Sequence, residues 1–294
     1  MLNERDLKGT YVPTITPFLP TEELDLESYQ RYVANLLHHH IQGIVVNGTT
    51  GEAPTVTWDE VATLFAATKQ TMTKGNHELP IIVGTGTNST RSTVQRTELA
   101  AELGADAVLV VTPYYSRPSQ EGVIEHFRRA AEVGVPVIAY EVPARTGLQL
   151  TSETVQRILD VQGVIGLKDS TSSTQLLTQL VQSDTKPILC GNDQTYLEML
   201  ANGATGGILS SANVHTERFV QLFNHVSQGE MIEAQNLFHS LTPMIQALFQ
   251  ESNPAPLKWI LAEQGLLASP SLRLPMSPIS ADLAQQLNRL LLQR

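Results

Sequence analysis

One lysine stands at the end of an apolar run near the middle of the chain. The run at residues 164–167 is followed by Lys168 and then by an acidic and a hydroxyl residue. Burial at the end of a core strand generally disfavours an ammonium group and supplies free amine at neutral pH. A free amine is the nucleophile that forms Schiff bases with carbonyl compounds. The alternative interpretation is a strand that ends in polar residues where it meets water.

Hydroxyl and guanidinium side chains follow other apolar runs of the same kind. In chain order these side chains are Thr49, Thr50, Tyr114, Tyr115, Tyr140 and Arg145. In covalent amine catalysis, Tyr and Thr can pass protons and Arg can hold a carboxylate. No cluster of His, Asp and Glu with metal-ligand spacing follows these runs, so we predict no metal site. The set predicts covalent chemistry at an amine.

Eight short apolar runs must position these side chains. They occupy residues 11–16, 44–47, 81–84, 107–112, 135–140, 164–167, 188–190 and 207–210. Their short length and β-branched content favour buried parallel strands, and segments with helical spacing lie between them. Eight such units in succession predict a (β/α)₈ TIM barrel, in which the active site lies at the C-terminal ends of the strands. A doubly wound sheet is the competing arrangement, which eight regular units without a shift in composition make less favourable.

The strand pattern stops after about residue 214, and apolar residues then recur at helical spacing. We therefore expect residues 1–228 to form the barrel that carries the active site. Residues 229–294 are expected to form a C-terminal helical extension.

Composition restricts the class of protein and its partners. The 294 residues are 41% hydrophobic and 16% charged, which is enough apolar material for a large core. The net charge of −10 argues against nucleic acid or an anionic membrane as a partner. The single cysteine, Cys190, excludes an intrachain disulfide and fits a reducing compartment. With no signal-peptide pattern and no apolar segment of membrane-spanning length, we expect a cytoplasmic protein.

Several motifs together resemble one known family. They are Gly48-Thr49-Thr50-Gly51-Glu52, Thr112-Pro113-Tyr114-Tyr115, the segment 140–147 and Gly166-Leu167-Lys168. Their order and spacing are similar to those of the dihydrodipicolinate synthase / N-acetylneuraminate lyase family, pyruvate-dependent class I aldolases on a (β/α)₈ barrel with a helical C-terminal extension. The likeness runs almost end to end, and segments 251–259 and 272–279 resemble the dihydrodipicolinate synthase branch.

The resemblance implies a lyase that condenses pyruvate with L-aspartate 4-semialdehyde to 4-hydroxy-tetrahydrodipicolinate, a step of lysine and diaminopimelate synthesis. It implies that Lys168 forms the Schiff base with pyruvate and that Tyr140 is the general acid and base. Thr49 and Tyr115 would complete a proton relay, with the tyrosine supplied by the neighbouring subunit of a tight dimer. A dimer of dimers is usual in the family. No metal or bound organic cofactor is implied.

The resemblance also implies a set of substrate-binding residues. Thr50 and the backbone around Ile208 would hold pyruvate, Arg145 would bind the carboxylate of the second substrate, and Gly191 would line the pocket. Two alternatives remain open: another aldolase of the family, acting on N-acetylneuraminate or a 2-keto-3-deoxy sugar acid, and a catalytically silent member that serves as a binding protein. Arg145 favours the first assignment over the sugar-acid enzymes.

Two departures from the family pattern lead to further expectations. Glu141 stands where the family most often has Asn, and we expect it to face away from the cavity because adjacent strand residues alternate. Lysine-inhibited members use polar and acidic groups at the dimer interface. Asn88 and Tyr114 match that site, but its other positions hold Ala53, Trp58, Val61 and Ser92. An effector ammonium without a carboxylate partner is poorly paired on burial. We therefore predict weak or absent feedback inhibition by lysine.

Overall fold

The computed structural model describes residues 1–182 and 185–292. Eight parallel strands form a closed barrel in the order in which they occur in the chain, which confirms the predicted TIM barrel. The strands are β1 Gly9–Pro13, β2 Gly43–Val46, β3 Ile81–Gly84, β4 Ala107–Val111, β5 Val137–Glu141, β6 Val164–Asp169, β7 Ile188–Cys190 and β8 Gly206–Ile208. Almost every strand residue is buried, as expected for a parallel sheet that is covered on both faces.

Twelve helices accompany the strands in the part of the chain that the structure describes. Those up to β8 are α1 Leu26–Leu37, α2 Trp58–Lys74, α3 Thr90–Leu103, α4 Gln120–Ala131, α5 Pro143–Thr146, α6 Ser152–Leu159, α7 Gln175–Leu180 and α8 Tyr196–Ala201. After β8 come α9 Thr216–Ser227, α10 Met231–Leu248, α11 Ala255–Glu263 and α12 Ala281–Leu292. No described helix is long and apolar enough to cross a membrane.

The described chain packs as two compact units. One unit comprises Met1–Tyr11, Gln42–Val45 and Pro80–Leu209, and the other comprises Val12–Ile41, Val46–Leu79 and the chain from Ser210 onward. This division follows internal packing, so it does not test the predicted boundary between residues 228 and 229, which stays a prediction. The second of these units contains α9 to α12. Within it, α10 buries the apolar residues Leu241, Met244, Ile245 and Leu248.

The register between β5 and β6 determines which side chains lie next to each other. Tyr140 is paired with Lys168, and the next residue pair is Glu141 with Asp169. Because successive strand residues point to opposite faces, the first pair lies on one face of the sheet and the second pair on the other. Tyr140 belongs to a buried apolar cluster with Leu109, Ile138 and other strand residues. The aromatic ring is therefore held by the core of the barrel.

Candidate active site

Lys168 lies inside β6 rather than beyond its end. The sequence interpretation ended the strand at residue 167, but the ladder continues on both sides, where Lys168 pairs with Tyr140 in β5 and Leu189 in β7. The side chain is only 6% exposed. Its Nζ lies 4.2 Å from the centroid of the Tyr140 ring. The structure thus brings together the amine and the phenol that the sequence predicted as partners.

Gly191 provides the room that the Lys168 side chain occupies. A β-carbon built at Gly191 would lie 2.6 Å from Cε of Lys168 and would also collide with Oγ of Ser170. The Gly191 N–H donates a 2.7 Å hydrogen bond to the backbone oxygen of Asp169, which brings the end of β7 close to β6. Any side chain at this position would displace the lysine.

Ile208 and Tyr115 lie in contrasting surroundings. Ile208 is the last residue of β8 and is buried in the same apolar cluster as Tyr140. Tyr115 is 91% exposed, and its backbone has a φ of +73°. A non-glycine residue rarely adopts this left-handed conformation. Within one chain, the Tyr115 ring is directed into solvent and does not pack with the buried Tyr140.

Arg145 lies in a short segment that follows β5. The segment contains the single-turn helix α5, which has Pro143 at its start and Gly147 at its end with a φ of +70°. Arg145 is exposed, and its guanidinium makes no hydrogen bond or ion pair within the described part of the chain, whereas its backbone N–H donates to the backbone oxygen of Val142 at 2.9 Å. An unpaired guanidinium is well suited to bind a carboxylate with two parallel hydrogen bonds.

Glu141 is buried beside this segment, with an exposed fraction of 1%. Its Oε1 accepts a 2.9 Å hydrogen bond from the Leu150 N–H, and its Oε2 accepts one of 2.9 Å from the Thr112 hydroxyl. Burial raises the pKa of Glu141 to about 7, and the nearby Asp169 carboxyl adds to this. Burial also raises the pKa of Asp169. Glu141 follows Tyr140 directly in β5, so the two side chains lie on opposite faces of the sheet.

Thr49 and Thr50 lie in the second unit, in a turn of 3₁₀ helix that runs from Thr49 to Gly51 after β2. The Thr50 hydroxyl is 2.9 Å from the Ser210 hydroxyl. Asn253 donates from Nδ2 to Oγ1 of Thr50 at 3.1 Å and to Oγ of Ser210 at 3.4 Å. A small polar network therefore surrounds the proposed pyruvate-binding hydroxyl.

The turn ends at Glu52, which is 3% exposed and has a φ of +56°. Its Oε1 forms an ion pair with Nζ of Lys258, a residue of α11 that is fully buried. Lys258 also donates a 2.8 Å hydrogen bond to the backbone oxygen of Ser271 and lies 4.2 Å from the centroid of the Phe18 ring. Burial lowers the pKa of Lys258 to about 8, and Glu52 opposes this change.

Asn253, Glu52 and Lys258 are three residues of this region for which the sequence alone predicts no role. One signal was available: Lys258 interrupts an otherwise apolar stretch of helix, and a buried lysine requires an anionic partner. The identity of that partner was not readable, because Glu52 lies more than two hundred residues away in the chain. Asn253 follows no strand, whereas the side chains predicted for the site lie at or just after the ends of strands.

Comparison with known proteins gives a consistent result. A model of the dihydrodipicolinate synthetase family matches residues 6–294. A 4-hydroxy-tetrahydrodipicolinate synthase from Coxiella burnetii is 38% identical over 273 residues, which cover 92% of this chain and 93% of the relative. The crystal structure of dihydrodipicolinate synthase from Thermotoga maritima matches with a TM-score of 0.93 at 35% identity, covering 97% of this chain and 98% of that one.

A further similar structure is the chloride-inhibited dihydrodipicolinate synthase from Acinetobacter baumannii, in complex with pyruvate. It matches with a TM-score of 0.93 at 33% identity, covering 97% of this chain and 98% of that one. The family match extends over almost the entire chain, and the similar proteins are matched over nearly their full length. This protein belongs to the dihydrodipicolinate synthetase family.

Proposed function

We propose that this protein is a lyase that condenses pyruvate with L-aspartate 4-semialdehyde to 4-hydroxy-tetrahydrodipicolinate, through a Schiff base on Lys168. The names of its full-length relatives support the reaction and do not favour a sugar-acid aldolase or a silent binding protein. The observation that carries the mechanism is the buried Lys168 amine, 4.2 Å from the centroid of the Tyr140 ring. The pyruvate complex of the Acinetobacter relative supports pyruvate as the first substrate.

The chemistry follows from the properties of an amine and an iminium. Nζ of Lys168 adds to the carbonyl carbon of pyruvate, and loss of water leaves a protonated imine. The iminium withdraws electrons, so a methyl proton is removed and an enamine forms. The enamine carbon attacks the aldehyde carbon of the semialdehyde, and the aldehyde oxygen takes up a proton. The amino group of the adduct then displaces Lys168 from the imine carbon, which closes the ring and frees the enzyme.

Tyr140 is positioned to move protons in these steps. We assign Thr49 and Tyr115 to a relay with Tyr140, with Tyr115 supplied by a neighbouring subunit. The 91% exposed ring of Tyr115 and its left-handed backbone support this assignment, since the side chain is left almost uncovered by the described part of its own chain. The active form is therefore proposed to be at least a tight dimer, and a dimer of dimers is compatible with the same contact.

The remaining assignments concern substrate binding. We assign the Thr50 hydroxyl and the backbone around Ile208 to pyruvate, and the unpaired guanidinium of Arg145 to the carboxylate of the second substrate. Gly191 leaves space for the lysine and its adduct. The proposed chemistry needs no metal and no bound cofactor. We also propose a cytoplasmic location, and weak or absent feedback inhibition by lysine.

Borohydride reduction in the presence of pyruvate tests the mechanism. We expect a reduced pyruvyl adduct on Lys168, located by peptide mass mapping, and no adduct in Lys168→Arg. Lys69→Arg is a matched control, because Lys69 also lies over an aromatic ring, 5.7 Å from the centroid of Phe65, but is exposed. An adduct on Lys258, or no adduct at all, would refute the proposed mechanism. Turnover of a sugar acid faster than of the semialdehyde would refute the proposed substrate.

A further inference from the structure

The buried carboxyl group of Glu141 has no part in the proposed chemistry. It lies directly after Tyr140 but on the opposite face of β5, so it cannot reach the reacting atoms. Burying a carboxyl group without a cation is costly unless its oxygens are hydrogen-bonded. Both oxygens of Glu141 do have donors, and these donors come from two different segments of the chain.

The first donor closes the segment that carries Arg145. Oε1 of Glu141 accepts from the backbone N–H of Leu150, nine residues further along the chain, so the intervening residues form a closed loop. This loop contains α5, which is only four residues long. A helix of one turn is not stable by itself, because its few hydrogen bonds do not offset the cost of nucleation. The loop must therefore be held by its anchors.

A further set of hydrogen bonds lies within the loop and is made by the side chain of Thr146. The Thr146 hydroxyl lies 3.3 Å from the backbone oxygen of Val142 and 3.0 Å from that of Leu148, so it can donate its one proton to either. These bonds shape the turn but do not attach it to the barrel. Within the described chain, the Glu141 side chain bonds the far end of the turn to β5. The Gln120 side chain of α4 holds the neighbouring residues, since it donates to the Gln149 backbone oxygen and accepts from the Thr151 N–H, at 3.2 Å each.

The second donor connects Glu141 to β4. The Thr112 hydroxyl donates to Oε2 of Glu141 at 2.9 Å and lies 3.1 Å from the backbone oxygen of Tyr140. The Thr112 N–H donates to that same backbone oxygen at 2.9 Å. One carboxyl group thus joins the end of β4 to the loop that carries Arg145.

We propose that Glu141 is a positioning residue, which holds Arg145 in place to bind the carboxylate of the second substrate. This inference rests on the proposed function, in which Arg145 recognises that carboxylate. It deepens the proposal by assigning a side chain that determines affinity for the second substrate without touching it. Pyruvate binding and Schiff-base formation do not depend on Glu141.

Both protonation states of Glu141 preserve the two contacts. As a carboxylate it accepts from Leu150 and Thr112. As a carboxylic acid it donates to Oγ1 of Thr112, whose own proton then turns to the Tyr140 backbone oxygen. The charged group that acts on Glu141 is Asp169 of β6. We therefore expect a neutral amide at this position to serve equally well.

The test separates the two substrates in steady-state kinetics. We expect Glu141→Ala to raise KM for aspartate semialdehyde about tenfold, the equivalent of one lost hydrogen bond of about 1.4 kcal/mol. KM for pyruvate and the borohydride-trapped fraction should stay within about twofold of wild type. Glu141→Gln should restore the wild-type KM, because its amide oxygen accepts from Leu150 and its amide nitrogen donates to Thr112. In Glu141→Asp the shorter side chain reaches only one partner, so this second variant should raise KM for the semialdehyde less than Glu141→Ala does.

A double-mutant cycle with Arg145→Ala gives the decisive comparison. If Glu141 acts through Arg145, Glu141→Ala should not raise KM for the semialdehyde further once the guanidinium is gone. Equal effects with and without Arg145, or an unchanged KM in Glu141→Ala and Glu141→Asp, would overturn the inference. Parallel loss of pyruvate trapping would overturn it too, by showing a general structural role. Failure of the wild type to trap pyruvate would instead overturn the proposed function, and the inference with it.

Discussion

Glu52 and Glu141 are two buried carboxyl groups that differ in whether their side-chain partner is a cation. Glu52 follows β2 in one unit, and Glu141 ends β5 in the other. Their exposed fractions are 3% and 1%. Glu52 has a buried cation as its partner, Lys258, whereas the hydrogen-bond donors to Glu141 are a hydroxyl and a backbone amide.

The difference shows two ways of using a carboxyl group to hold a loop. An ion pair needs both charges, so its strength depends on each partner remaining ionised. Burial lowers the pKa of Lys258 to about 8, which still leaves the ammonium mostly charged at neutral pH. The pair therefore fixes the turn that carries Thr49 and Thr50 under physiological conditions.

Neutral donors give Glu141 different properties. Without a cation, burial raises its pKa to about 7, and Asp169 contributes to the increase. The group therefore titrates near neutral pH, while its hydrogen bonds can be kept in both protonation states. A carboxyl group held by neutral donors can be replaced by an amide, whereas one held by an ion pair cannot lose its cation without leaving a buried charge.

The largest effect is expected from breaking the ion pair. Lys258→Met preserves much of the side-chain volume but leaves the buried carboxylate of Glu52 without the ammonium that pairs with it. Removing one partner of a buried pair typically costs about 3 to 5 kcal/mol. We therefore expect the free energy of unfolding, measured by urea denaturation at pH 7, to fall by about that amount.

The matched control neutralises both members of the pair. In the double variant Lys258→Met with Glu52→Gln, no charge is buried, so much of the lost stability should return. A loss of less than about 1 kcal/mol in Lys258→Met would mean that the pair behaves like an exposed one. In that case Glu52, like Glu141, would not depend on a cation for its stability in the core.

A smaller effect, and one that depends on pH, is expected at Glu141. Below its ordinary pKa of 4.5, the group is protonated in both the folded and the unfolded chain. As pH rises towards 7, the unfolded chain ionises first, so the free energy of unfolding of the wild type falls. Each pKa unit corresponds to about 1.4 kcal/mol, so the shift from 4.5 to about 7 gives a total loss of at most roughly 3.5 kcal/mol.

Glu141→Gln should remove this contribution. Denaturation curves at pH 4.5, 6 and 8 are expected to show the variant gaining stability relative to wild type as pH rises, with most of the gain by pH 8. A constant difference between the two proteins across this range would contradict the raised pKa. Glu132→Gln, a change at an exposed carboxylate, is a suitable control and should show little dependence on pH.

The fold could be predicted because its signal is local. The run 188–190 matches β7, and 81–84 matches β3, since each is a short β-branched or apolar segment bounded by turn residues. The end of β6 was predicted two residues early, because Lys168 and Asp169 are polar. Their place in the strand depends on pairing with β5 and β7, and hydrophobicity within a single run carries no information about that pairing.

The candidate site could be predicted only where its residues follow strands. The pairing of Lys168 with Tyr140 was accessible in this way, because both lie at the same end of neighbouring strands. The pair Glu52–Lys258 and the bond from Asn253 to Thr50 join residues more than two hundred positions apart. Such contacts depend on how helices after the barrel pack, which no local pattern encodes.

The smallest effect is expected at Asn253, where a substitution can add a negative charge to the region that contains Glu52. Its Nδ2 donates to the Thr50 hydroxyl at 3.1 Å, which leaves the hydroxyl proton available for an acceptor such as a substrate carboxylate. Asn253→Asp removes this donor and adds a negative charge that Lys258, already paired with Glu52, does not balance. We expect KM for pyruvate to rise about tenfold, or about 1.4 kcal/mol, with KM for the semialdehyde unchanged.

Ser210→Ala is the matched control, because it keeps the bond from Asn253 to Thr50. It should change KM for pyruvate less than threefold, to within about 0.6 kcal/mol. An unchanged KM for pyruvate in Asn253→Asp would show that the hydroxyl of Thr50 binds no carboxylate, because a second anion beside it must weaken such binding.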